Sequence, residues 1–227
     1  MPSRFFSTAA LLVPVLALAG AAQADTPTDT PAGVAKKIEA YYKDRSDIRA
    51  VFTQVVKKPG RARAITKEGN VFFKRPGMMR WDYQKPEKVF YISDGTTLWT
   101  YQPEDALVTK LDVKSSELYH QSRYLFGQGN LTEDFDVAAH AATPEKDGFG
   151  LLLKPKKSAR DFKQLVLVVD PSTGEIRRTE LTDPYDNVSI VTFQKLEYRT
   201  LDEKPFRFTP PANATIRDLS KQAPASK

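Results

Sequence analysis

The sequence predicts a mainly β protein with some helix. One large antiparallel sheet should curl, and helices from two places in the chain should cover its open side. Three observations carry this. Turn signals recur at spacings of about eight to twelve residues, among them Glu68-Gly69-Asn70, Arg75-Pro76-Gly77, Ser93-Asp94-Gly95, Gln102-Pro103-Glu104, Lys146-Asp147-Gly148 and Asp170-Pro171-Ser172-Thr173-Gly174. The runs between them are short and rich in β-branched and aromatic residues. Helical spacing of apolar residues is found in only two segments. The strand runs are 47–56, 63–74, 78–84, 87–93, 96–101, 106–112, 134–139, 149–154, 163–169, 175–182 and 187–199. So large a sheet cannot stay flat, and a lid that does not fill the curl leaves a cavity.

In chain order, the first segment reads as a secretory leader. Arg4 supplies a positive start, Ala9 to Leu18 an apolar run, and Ala22-Gln23-Ala24 a small-x-small cleavage site. The run is too short to span a bilayer. Cleavage after Ala24 would release a secreted mature protein, starting at Asp25, as one domain over 25–217. The polar residues 218–227 should form a frayed tail. The first helix begins at Thr30-Pro31, cap and first turn, and carries an apolar stripe of Val34, Ile38, Tyr41 and Tyr42. A second spans Ser115 to Phe126 and stops at Gly127. Its few apolar residues, Leu118, Tyr119, Leu125 and Phe126, require it to lie against the sheet.

Composition narrows the chemistry. The chain has no cysteine, which excludes disulfides, thiolate metal sites, Cys nucleophiles and a lipidated N-terminal cysteine. Its two histidines, His120 and His140, lack metal-ligand spacing. No nucleophile elbow or phosphate-binding glycine loop occurs. Asp94, Asp170 and Asp183 sit in turns, where Asp serves local hydrogen bonding. The expectation is no enzyme, no metal and no cofactor. Removing the leader lowers the formal net charge from +6 to +5. The densest basic clusters, Lys57 to Arg63 and Lys154 to Lys157, fall between strands. They read as solvated loops, or as sites for an anionic surface or acidic partner. No nucleic-acid-binding motif is present.

The positive signal is aromatic. Phe52, Phe72, Phe73, Trp81, Tyr83, Phe90, Tyr91, Trp99 and Tyr101 crowd into one stretch. Most would fill a core. In Arg75 to Tyr83, however, alternation puts Met79, Trp81 and Tyr83 on one face, and Met78, Arg80 and Asp82 on the other. Methionine adapts to ligands of varied shape. A cavity lined this way suits acyl chains, each buried methylene contributing about 0.8 kcal/mol.

Several stretches occur in an order that resembles a known family: "FTQ" at 52–54, "FKRPGMMRWDY" at 73–83, "ISDGTTLWTYQP" ending at Pro103, "LLLKPK" at 151–156 and "FTPP" at 208–211. Together they resemble the outer-membrane lipoprotein carrier (LolA) family over about residues 34–217. The resemblance implies an unclosed half-barrel under an α-helical lid. It also implies a periplasmic chaperone that takes triacylated lipoproteins from an inner-membrane ABC transporter to an outer-membrane acceptor. Such a shuttle is most simply a monomer. Arg75 would hydrogen-bond to the lid and hold it closed over an empty cavity. Met79, Trp81, Tyr83, Phe52, Tyr91 and Trp99 are the expected acyl-chain contacts. Met79 departs from the family, whose members commonly carry an aromatic residue there. The competing reading is a secreted half-barrel that binds another amphiphile or acts as an envelope sensor.

Overall fold

The computed structural model describes residues 30–122, 129–157 and 162–220. The leader, the end of the expected second helix and the last residues of the tail lie outside these. Helix α1 (Pro31–Lys43) comes first, followed by strands β1 (Asp47–Lys57), β2 (Ile65–Lys74), β3 (Met78–Lys85), β4 (Val89–Asp94), β5 (Thr97–Gln102) and β6 (Leu107–Asp112). Helices α2 (Glu117–Ser122) and α3 (Leu131–Asp134) interrupt the sheet. Strands β7 (Phe135–Ala139), β8 (Phe149–Pro155), β9 (Gln164–Val169), β10 (Ile176–Thr182), β11 (Val188–Tyr198) and β12 (Thr215–Asp218) complete the chain.

All twelve strands form one unclosed sheet, in the order β12-β6-β5-β4-β3-β2-β1-β11-β10-β9-β8-β7. Ten of its pairings are antiparallel. Hairpins build each half, and β1 pairing with β11 joins the two. The exception is β12, which lies parallel to β6. It is exposed throughout and too short to show alternation, so no strand was expected there. Its pairing carries the ordered chain beyond the expected boundary at residue 217, to Leu219, whose N–H donates to the Lys110 carbonyl.

The expected turn chemistry is present. Asp94 Oδ1 accepts from the Thr96 and Thr97 amides. Gly95 has φ of 95°, and a Cβ there would stand 2.8 Å from the Pro76 carbonyl. Only glycine satisfies both constraints. Asp170 and Asp183 do comparable work in the β9–β10 and β10–β11 turns. Hydrogen bonds from the Ser172 hydroxyl and amide hold the Asp170 carboxyl below its ordinary range. His140 belongs to a turn too, its Nδ1 lying 2.9 Å from Thr143 Oγ1.

Helix α1 starts as expected, with Thr30 Oγ1 accepting from the Gly33 amide at 3.1 Å. Val34, Ala35, Ile38 and Tyr42 are its buried face. Helix α2 falls within the expected 115–126, whose last residues lie outside the described ones. A 3-10 turn, Val113–Ser115, precedes it. Asn130 caps α3 by accepting from the Thr132 and Glu133 amides, a one-turn helix in place of the loop before β7.

At the start of β1, Asp47 is 4% exposed and accepts from Lys74 Nζ at 3.0 Å and from the Leu201 amide at 2.7 Å. It ties β1 to the end of β2 and to the segment after β11. Burial alone would raise its carboxyl, but these bonds outweigh burial and hold it below the ordinary value. The unfolded chain therefore binds this proton more readily. The bonds' stabilisation is full above the unfolded carboxyl value, about 3.9, and is lost as pH falls through the lower folded value. Asp47→Asn should cost about 2 kcal/mol at neutral pH. The difference in denaturant midpoint between the two proteins should shrink as the buffer is taken below about pH 4.

Candidate functional site: an apolar floor under a short lid

Register defines the concave floor. Met79, Trp81 and Tyr83 lie opposite Phe73, Val71 and Gly69 of β2. Those in turn lie opposite Ile48, Ala50 and Phe52 of β1. Phe52 faces Phe193 of β11, and on the other side Trp81 faces Tyr91 of β4. Side chains directly opposite share a sheet face, so one continuous apolar surface crosses the middle of the sheet. Burial agrees. Met79, Trp81 and Tyr83 are buried, while Met78, Arg80 and Asp82 between them are not fully so.

The aromatic rings of this floor are locked edge to face. Phe52 lies 4.9 Å from Trp81 and 4.9 Å from Tyr83, and Phe73 lies 5.7 Å from Trp81. Tyr83 meets Tyr91 at 5.7 Å. Phe52 occupies the space over Gly69, where a Cβ would come within 2.9 Å of its ring. Burial pushes the Tyr83 and Tyr91 hydroxyls above their ordinary range. They therefore stay neutral and act as floor.

Met79, Trp81, Tyr83, Phe52 and Tyr91 are thus brought to one face. Trp99 is not. It lies opposite Ile92, which lies opposite Arg80, so it stands on the convex side. There it packs on Phe208 at 5.8 Å, while Tyr101 meets Phe208 at 5.6 Å and Phe90 at 6.0 Å. Phe206, Ile92 and Val108 are buried on this side as well, and Arg80 Nη1 donates to the Pro205 carbonyl. The S-D-G-x-x-L-W-x-Y motif and "FTPP" are therefore two halves of one outer clamp, which holds the C-terminal segment to the sheet.

Two helices cover the floor. Helix α1 is fixed near the β9–β10 turn. Tyr41 donates to Glu175 Oε2 at 2.5 Å, the Ile176 amide donates to the Tyr42 hydroxyl at 3.0 Å, and Lys37 Nζ donates to the Pro171 carbonyl at 2.8 Å. Gly174 lets it approach, since a Cβ there would meet the Lys37 backbone at 2.6 Å. The C-terminus of α1 is held by Arg75 from the β2–β3 turn. Its guanidinium donates to the carbonyls of Tyr42, Lys43 (2.8 Å) and Arg45 (3.2 Å). Tyr42 and Lys43 belong to the last turn of α1 and Arg45 follows its cap, so the guanidinium sits at the negative end of the helix dipole. The lid contact inferred for Arg75 thus falls on α1; among the described residues no such bond reaches α2.

Helix α2 packs against the core through Leu118 and Tyr119. Beneath it, Leu118 and Ser122 meet Trp81, Tyr83, Val191 and Phe193 around a cavity of about 30 Å³. A second gap of about 10 Å³ lies under Tyr42. These hold one or two waters at most. Three polar residues of the floor were not anticipated: Gln54, Ser189 and Thr179, which line the larger cavity. Gln54 Nε2 donates to Ser189 Oγ at 2.8 Å. Alternation from Phe52 would have placed Gln54 on this face, but nothing local distinguishes a floor glutamine from a solvent one.

A twelve-stranded unclosed sheet, curled around a wide apolar floor and covered by short helices, defines a class: lidded half-barrels that enclose apolar material. Comparison with known proteins makes this specific. The profile described as outer membrane lipoprotein carrier protein LolA matches residues 44–209, and the chain belongs to that family. It is 29% identical to an outer-membrane lipoprotein carrier protein of Bordetella pertussis, over 73% of this chain and 77% of the relative. It is 27% identical to one of Serratia proteamaculans, over 92% and 97%. Among solved structures, an uncharacterized conserved protein from Thermus thermophilus shares the fold with a TM-score of 0.51 and 12% identity, covering 82% of this chain and 96% of that one.

The convex placement of Trp99 separates stability from binding. Trp99 and Phe208 are half-buried, so Trp99→Ala and Phe208→Ala should each cost about 1.5 kcal/mol. The double variant should cost clearly less than their sum, because the two share one contact. Denaturant titration of the three proteins measures this, and binding of an acyl probe should not change.

Proposed function

We propose that the protein is a periplasmic chaperone. It accepts triacylated lipoproteins from an inner-membrane ABC transporter, shields their acyl chains against the concave floor and delivers them to an outer-membrane acceptor. The observation that carries this reading is the floor itself, a continuous apolar face of Met79, Trp81, Tyr83, Phe73, Phe52 and Phe193 on a sheet that does not close over it. Among the described residues, the gaps against it beneath Leu118 and Tyr42 are about 30 Å³ and 10 Å³. Acyl chains enter there by displacing the side chains that cover the floor.

Helix α2, described over Glu117–Ser122, rests on the floor through Leu118 and Tyr119 and is the cover that cargo displaces. Helix α1 is fixed by four buried side chains and the Arg75 bonds, so it serves as the frame on which the cover closes. Acyl chains in water are costly, and a floor of Met79 and aromatic rings compensates for that cost. Refolding the cover onto the same floor competes with the cargo and keeps affinity modest. An acceptor with a more apolar site can then draw the cargo out. The chemistry uses no catalytic group.

The direct test adds purified protein to energised spheroplasts and asks whether newly made triacylated lipoproteins appear in the supernatant bound to it. Absence of release, from folded protein, would overturn the cargo assignment. Arg75→Leu should free the end of α1 and remove hydrogen bonds to a charged donor, together worth about 1.5–3 kcal/mol. Loading should persist while transfer to outer membranes slows at least tenfold; unchanged transfer kinetics would refute a locking role. Met79→Glu should weaken binding of a synthetic lipopeptide at least tenfold, since a carboxylate on the floor must be desolvated. Normal binding by a variant with native circular dichroism would place Met79 outside the site.

A further inference from the structure

The floor carries polar groups that no part of the fold explains. Trp81 is 3% exposed, yet its indole Nε1 meets no acceptor among the described residues. Gln54 Oε1 is likewise buried and meets no donor among them. Both residues line the same cavity beneath Leu118. A buried donor or acceptor without a partner is destabilising, and native proteins keep few of them. Here one of each belongs to a side chain that lines the space a cargo would enter.

The surroundings are graded. Towards the β2–β3 turn the floor is Ile48, Phe73 and Met79, all buried. Towards the other end it turns polar. Gln54 lies opposite Lys67, whose Nζ stands 5.4 Å from the Tyr83 ring centre, and Gln54 Nε2 bonds Ser189. The change from apolar to polar occurs at Gln54, two register rows beyond Trp81, and the two side chains meet at the one cavity.

We propose that Trp81 and Gln54 form a polar anchor for the ester–amide head of an acylated cysteine, a subsite that rests on the carrier reading above and adds an orientation to it. The indole N–H donates to an ester carbonyl of the diacylglyceryl group. Gln54 Oε1 accepts from the amide N–H of the N-acyl chain. The acyl tails run over Phe73 and Met79 beneath α1. The polypeptide leaves past Lys67, between the β1–β2 and β10–β11 turns. An acyl chain alone satisfies neither polar group; an acylated cysteine satisfies both. The floor thereby distinguishes a lipoprotein from a free hydrocarbon, and it does so at the junction of the cargo's apolar and polar parts.

The test uses two synthetic triacyl-cysteine peptides of equal chain length. In one the glyceryl chains are ester-linked; in the other they are ether-linked, which removes the carbonyl acceptors and leaves the apolar bulk. Dissociation constants are measured by competition with a fluorescent acyl probe, and the Trp81 indole N–H resonance is followed on binding. The wild-type protein should bind the ester peptide about five- to tenfold more tightly than the ether peptide, with a downfield shift of the indole proton for the ester alone. Trp81→Phe keeps an aromatic ring and should bring the ester affinity down to the ether value. Gln54→Leu should weaken both peptides equally, since both keep the amide. Equal binding of the two peptides by wild type would overturn the anchor and leave the carrier reading standing. So would an ester preference that survives in Trp81→Phe. If neither peptide binds wild type, both readings fall together.

Discussion

The structure depends on one constraint: a sheet of twelve strands that does not close must bury its concave apolar face under something other than itself. Closure would have satisfied the edges and filled the interior with side chains from the far wall. Here the outermost strands, β12 and β7, are not neighbours, and the face is covered by α1, α2 and the packing of its own aromatic rings. Everything else about the molecule follows from how incompletely that cover is attached.

Attachment is concentrated at one end. Arg75 holds α1 by its terminal carbonyls, the Ile176 amide and Glu175 carboxylate hold Tyr42 and Tyr41, and Asp47 joins β1, β2 and the chain after β11 within the same region. This end behaves as a frame. At the opposite end the floor becomes polar, at Gln54, Lys67 and Ser189. The floor thus has an apolar end and a polar end. The convex side is kept out of this arrangement by its own clamp, in which Trp99 and Tyr101 grip Phe208. That clamp stiffens β4 to β6 from behind, so the floor does not depend on cargo for its shape.

Burial drives the Tyr83 and Tyr91 hydroxyls towards the neutral form, and the acids at Asp94, Asp170 and Asp183 are occupied with turn amides. Among the described residues, the concave side offers apolar area, a few neutral polar atoms and, at its far end, the Lys67 ammonium.

Local physics was enough to read much of this from the sequence. Side chains alternate along a strand whatever its neighbours, so the common face of Met79, Trp81 and Tyr83 was legible, as were the Thr30 cap, the Asp94-Gly95 turn and the strand runs of a large antiparallel sheet. The family was legible because its motifs keep their order and spacing. Relations between strands were not. Which side of the sheet Trp99 takes depends on parity across two successive hairpins, and a change of one residue in register reverses it. The parallel partner of β12 lies about a hundred residues away in the chain, and a lone fully exposed strand has no pattern to betray it. Arg75 looked like a clasp from its motif, but only the fold brought it to the end of α1, because a guanidinium bonds whichever carbonyls tertiary packing leaves unsatisfied.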